Sequence, residues 1–172
     1  MTGHGDRQLL GVLFLCTGNS ARSILAEAIA NKVGAVKLRA FSAGSQPTGV
    51  IHPLAVQLLE ELNYSTNDLR SKHWSEFAKP NAKQLGLVIT VCNNTVAEAC
   101  PLWPGNPLLS HWSIPDPAQP NSHRADFKLV YDLLATKINA LANLPIPSIS
   151  TAEELSRKLE QIAKTGNLPG DN

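Results

Sequence analysis

The chain has almost no surplus of charge. Fifteen Lys and Arg face fourteen Asp and Glu, a formal net charge of +1, so nothing draws it to nucleic acid or to an anionic membrane surface. It lacks any apolar run long enough to span a bilayer. The opening residues, MTGHGDRQLL, have no basic stretch followed by an apolar one. A secretory signal is therefore not expected, and the expected location is cytoplasmic. Cysteine is scarce and odd in number, at three. Without an export signal that argues against a static disulfide framework and for thiol chemistry or a metal. Internal repeats and low-complexity stretches are also missing. What remains is a soluble globular composition, 43% hydrophobic and 17% charged over 172 residues, enough for one domain with a real core.

The apolar pattern alternates between strand and helix. Gly11 to Leu15 reads as a first strand, and Ser23 to Val33 as a helix with Leu25, Ala28, Ile29 and Val33 on its inward stripe. A second strand is predicted over Lys37 to Ser42. Pro53 opens a second helix carrying Leu54, Leu58, Leu59 and Leu62, and Asn63 stops it. A short helix is expected at Trp74 to Phe77, a third strand at Leu85 to Val91 and a fourth at Leu108 to Trp112. A long helix follows from Ser122 to Leu141. The third strand is almost wholly apolar, as a parallel strand covered on both faces should be. Such alternation predicts an α/β fold with a four-stranded parallel sheet. The expected division is a catalytic domain over 10–145 and a C-terminal extension over 146–172. The extension holds one amphipathic helix built on Leu155, Leu159 and Ile162, which could mediate assembly or float but is expected to pack on the domain.

The chemistry concentrates in GVLFLCTGNSARS, residues 11–23. A buried strand ends in Cys16. The small and polar residues Thr17, Gly18, Asn19, Ser20 and Ala21 then lead to Arg22 and Ser23, where a helix begins. Backbone N–H groups at a helix start form a concave, partly positive cradle for an oxyanion. Arg22 adds a planar fork that fits tetrahedral oxyanions. Cys16 lies at the base of this cradle, and the Ser23 hydroxyl can bond its sulfur. A lone cysteine is more often packing than chemistry, but Cys-x5-Arg-Ser between strand and helix marks Cys16 as a nucleophile with a lowered pKa, in the range of about 3.5–7.5. Ligands of open α/β sheets gather beyond the carboxyl ends of the strands. Cys92 ends the third strand and Asp116 follows the fourth, so both should reach the cradle. Prolines around Asp116 stiffen its loop, and an acid above the cradle suits proton donation to a departing oxygen.

These residues carry a resemblance. The strand–CTGNSARS–helix unit with a late Asp-Pro resembles the low-molecular-weight protein tyrosine phosphatases, and CTGNSARS is similar to the arsenate reductases built on that fold. The segment VCNNTVAEACPLWPG, residues 91–105, resembles their redox segment. The likeness spans roughly residues 11–144. It implies a single-domain three-layer αβα sandwich, low-molecular-weight phosphotyrosine phosphatase-like. It implies that Cys16 attacks arsenate, that Arg22 and Ser23 hold the anion, that Asp116 supplies a proton, and that Cys92 and Cys100 relay the oxidation outward. Arsenate is then the substrate, phosphate and sulfate are competing oxyanions, and the reductant is thioredoxin or glutathione with glutaredoxin.

The rival reading is a phosphatase. Those enzymes usually carry Tyr after Asp-Pro, where this chain has Ala118 after Pro117, and its two tyrosines, Tyr64 and Tyr131, fall in or next to helices. Phosphate monoester hydrolysis has no use for two further thiols, whereas reduction of As(V) to As(III) takes the two electrons that a dithiol gives. Ala21 stands where some thioredoxin-coupled reductases have a loop cysteine. A third reading, a non-enzymatic sensor of arsenic or redox state, needs neither Arg22 nor Asp116. No cofactor and no metal are expected. Cys92 and Cys100 are too far apart for a zinc knuckle, with only His111 and Asp116 nearby, and His52, His73, His111 and His123 lack ligand spacing. Those histidines are expected in solvated or capping roles, and Trp103 in packing. Because a helix would hold Cys92 and Cys100 about 12 Å apart, and a disulfide needs Cα atoms within about 7 Å, residues 93–99 must be a mobile loop or a helix that unwinds on oxidation.

Overall fold

The structure, a computed structural model, describes residues 9–92, 100–146, 149 and 151–167. The elements are β1 (Leu10–Cys16), α1 (Arg22–Val33), β2 (Leu38–Gly44), α2 (Pro53–Glu61), a 3-10 turn (Trp74–Phe77), β3 (Leu87–Thr90), β4 (Leu108–His111), α3 (Arg124–Ala142) and α4 (Ala152–Lys164). All strands are parallel, in the order β2-β1-β3-β4. The register pairs Cys16 with Gly44 on one side of β1 and Leu15 with Thr90 on the other. The residue after β1 and the residues after β3 thus emerge side by side at one edge, where the connections leave in opposite directions.

Strand β1 is buried on both faces, and its period of two divides the core. Val12, Phe14 and Cys16 face the larger cluster, with α1, α2, α3 and α4. Leu13 and Leu15 face a smaller one with Val88, Phe77 and Trp103. Among the described residues this second face is covered by the 3-10 turn and by Trp103, which packs edge-on against Trp74. Trp103 is 7% exposed, a packing residue as its sequence setting suggested.

Helix α1 departs from the expected single stripe. Ser23 through Ala30 are all buried, because the helix lies on β1 and β2 and is overlaid by α3. Val33, expected inward, is 38% exposed at the helix end. β3 is shorter than the apolar run suggested, since Leu85 and Val91 are buried but outside the strand. β2 runs on to Gly44, and a Cβ there would meet the Thr17 carbonyl oxygen at 2.4 Å. Glycine is what lets the strand end touch the loop after β1.

The C-terminal helix packs on the domain, with Leu159 and Ile162 buried in the main core. Lys137 of α3 is fully buried beneath it. Its ammonium donates to the carbonyls of Ile162, Ala163 and Thr165 and to Asn167 Oδ1, at 2.5–3.4 Å. A cation at a helix C-terminus satisfies carbonyls that have no partner within the helix. Among the described residues no helix is long and apolar enough to cross a membrane.

Candidate active site

The loop from Thr17 to Ala21 is shaped from outside. The carbonyls of Thr17, Gly18 and Ser20 accept N–H bonds from Gln46, Thr48 and His52, at 2.9–3.0 Å. In a trans peptide the N–H points opposite to the C=O. The N–H groups of Gly18, Asn19 and Ala21 therefore turn into the loop, and the N–H of Asn19 reaches Cys16 Sγ at 3.2 Å. Asn19 has φ of 44°, a left-handed conformation that Asn tolerates better than most residues. Cys16, 3% exposed, lies at the bottom with its Sγ 2.8 Å from Ser23 Oγ. Cys16, Ser23 and the Asn19 N–H thus lie together in one concavity.

Beneath the loop is a polar network that the motif does not announce. Asn19, fully buried, donates through Nδ2 to Ser23 Oγ (2.8 Å) and Ser42 Oγ (3.0 Å), and its Oδ1 accepts the Lys72 N–H at 2.8 Å. Ser42 donates to Glu27, whose Oε2 is 3.7 Å from Lys72 Nζ. Burial pushes the Glu27 carboxyl up and the Lys72 ammonium down, and their pairing opposes both shifts. An acid on an otherwise buried helix face was a signal for Glu27. Lys72 gave none, since its partners lie far away in sequence.

Cys16 corrects one expectation. Desolvation pushes its thiol up from the ordinary range, and the bonds from Ser23 and Asn19 and the charge of Arg22 only oppose this. A sulfur sealed under the main core loses more hydration than these bonds and the Arg22 charge return.

The other expected residues converge on the same edge. Arg22 Nη1 donates to the Ile114 carbonyl at 3.2 Å, and Nη2 is 3.6 Å from Asp116 Oδ2. Asp116 also accepts from the Ala118 N–H at 3.0 Å and from Gln119 Nε2 at 3.2 Å. Cys92, 1% exposed, has its Sγ 3.6 Å from Thr17 Oγ1. Cys100 is exposed, whereas Cys16 and Cys92 are buried. Residues 93–99, where the loop or unwinding helix was expected, lie outside the described residues. His52 and His73 cap α2 and the 3-10 turn, accepting the N–H groups of Leu54 and Ser75. Among the described residues no group of three or more His, Cys, Asp or Glu could hold a metal ion.

The arrangement brings a buried thiol, inward-turned N–H donors, a guanidinium, a carboxyl and a second buried thiol to one edge of the sheet. A family model described as low molecular weight phosphotyrosine protein phosphatase matches residues 11–161. The chain is 32% identical over 128 residues to Arsenate reductase 2 of Staphylococcus saprophyticus, covering 74% of this chain and 92% of that protein. It is 35% identical over 108 residues to Arsenate reductase of Staphylococcus aureus strain Newman, covering 62% and 78%. The crystal structure of arsenate reductase from Archaeoglobus fulgidus superposes with a TM-score of 0.63 at 25% identity, covering 77% of this chain and 99% of that one.

Proposed function

The chain belongs to the low molecular weight phosphotyrosine protein phosphatase family, and from that premise we propose that it reduces arsenate to arsenite through a relay of its three thiols. The observation that carries the reading is Cys92, a second buried thiol beside Thr17 of the anion loop. Its likeness over most of its length to proteins named arsenate reductase supports the same reading.

The chain's residues divide the work as follows. Arsenate sits on the N–H groups of residues 17–23, with the Arg22 fork turned onto it from Asp116. The Cys16 proton, held by desolvation of the buried sulfur, passes to the bound dianion, and the sulfur attacks arsenic. An arsenic–oxygen bond breaks, and Asp116 gives the leaving oxygen its proton. Cys92 then gives its proton to an arsenic-bound oxygen and attacks Cys16 Sγ. The sulfur–arsenic bond breaks with its electron pair remaining on arsenic, so As(V) becomes As(III) and two thiols become a Cys16–Cys92 disulfide. Thr17 Oγ1 is placed to bond the attacking Cys92 sulfur. Cys100 attacks Cys92 in turn, freeing Cys16 and moving the disulfide to an exposed sulfur. There an external thiol reductant, thioredoxin or glutathione with glutaredoxin, closes the cycle.

The same loop would hydrolyse a phosphate monoester using Cys16, Arg22 and Asp116 alone, which sets the test. Cys92→Ala should abolish multiple-turnover arsenate reduction and leave hydrolysis of a small aryl phosphate within about threefold of wild type, because only the relay uses Cys92. Strong phosphotyrosine hydrolysis by the wild type with no arsenate reduction would establish a phosphatase instead.

A further inference from the structure

We propose that Gln119 is the positioning residue for the acid Asp116, holding one chosen carboxyl oxygen over the anion loop before and after the substrate arrives. The proposal rests on Asp116 acting as proton donor in the arsenate reaction. The two oxygens of Asp116 are not equivalent. Oδ1 accepts the Ala118 N–H at 3.0 Å and is tied to its own turn. Oδ2 faces the loop, 3.6 Å from Arg22 Nη2, and accepts from Gln119 Nε2 at 3.2 Å. Arg22 therefore shares with Gln119 the task of orienting Oδ2. A bound oxyanion takes the guanidinium for itself, and the Gln119 amide is then what keeps Oδ2 in place.

An amide suits this position chemically. A carboxylic O–H oxygen keeps an acceptor lone pair after it gains its proton. The Gln119 NH2 can thus bond Oδ2 in both charge states, while the O–H points at the departing arsenate oxygen. A lysine would hold only the carboxylate strongly, and an acid would repel it. The amide also has a firm base. The Gln119 carbonyl accepts from Ser122 N–H at 3.0 Å and from Ser122 Oγ at 2.5 Å, and prolines 117 and 120 restrict the backbone on either side. The position lies one residue beyond Ala118, and Gln119 itself is exposed, so its substitution leaves the core intact.

The test is a double-mutant cycle on the full-length protein: wild type, Gln119→Ala, Asp116→Ala and the double variant. Gln119→Ala should lower kcat for arsenate about tenfold, the scale of a modest misplacement of a reacting group. The dissociation constant for sulfate should stay within twofold, since the anion loop is untouched. In the Asp116→Ala background the same change should leave kcat unaltered. Gln119→Glu should be slower than Gln119→Ala, and Gln119→Asn should recover part of the loss. An equal fractional loss in both backgrounds would overturn the proposal, as would a Gln119→Ala enzyme with wild-type kcat. A wild type that reduces no arsenate would overturn the reductase reading instead. The cycle is then run on aryl phosphate hydrolysis, where additive losses refute the Asp116–Gln119 coupling and non-additive losses support it.

Discussion

Replacing Asn19 by Ala removes one side chain and strands several partners. The buried Lys72 N–H loses its acceptor, a cost of about 1–3 kcal/mol for an unsatisfied buried donor. Ser23 and Ser42 each lose a donor at 2.8 and 3.0 Å. Their hydroxyls retain Cys16 Sγ and Glu27 as partners, so their combined loss is about 1 kcal/mol. Alanine at φ of 44° adds about 1–2 kcal/mol of backbone strain. The total is about 3–6 kcal/mol, a large part of the roughly 5–15 kcal/mol that stabilises a domain. At about 2–4 °C per kcal/mol for a chain of this size, the melting temperature should fall by roughly 10 °C. Differential scanning calorimetry measures this, with sulfate affinity by isothermal titration read in parallel. Asn19→Gly removes the strain but not the lost bonds, and should recover about 1 kcal/mol of the deficit. A melting temperature within 2 °C of wild type (about 1 kcal/mol or less by the same conversion), with sulfate binding intact, would refute the network as the support of the loop.

Three further changes probe separate parts of the structure. Arg22→Lys should cut arsenate turnover and weaken sulfate binding, because a point charge cannot replace a planar fork; unchanged sulfate affinity by titration would contradict the cradle. Ser23→Ala should shift the pH midpoint of Cys16 alkylation by iodoacetamide upward, since the Ser23 hydroxyl opposes the rise caused by burial; a downward shift would contradict that sign. Lys137→Met should lower the melting temperature by several degrees, for it removes the donor to the Ala163 and Thr165 carbonyls at the end of α4; an unchanged melting temperature would show that α4 docks by its apolar face alone.

Much of the site was legible in the chain because its parts are local. Cys16, the small residues after it and Arg22 follow one another, and strand, turn and helix are each marked by their own pattern. The placement of Cys92 and Asp116 followed from parallel topology, which brings strand ends to one edge. What could not be read depends on burial and on distant partners. The thiol of Cys16 is pushed up rather than down because the core seals it, and no motif encodes that cover. The loop carbonyls are turned outward by Gln46, Thr48 and His52, which belong to an irregular segment with no periodic signal. The Glu27–Lys72 pair joins a helix to a connection many residues later, and α1 is buried all round because α3 returns over it.

The relay itself is tested most directly by trapping its first disulfide. Cys100→Ser protein is reduced, freed of reductant and given one equivalent of arsenate. Arsenite release is then measured, and the disulfides are mapped by mass spectrometry. The account predicts one arsenite per protein, about one turnover as two electrons require, together with a Cys16–Cys92 disulfide. Arsenite released without a Cys16–Cys92 disulfide, or no arsenite released at all, would contradict it.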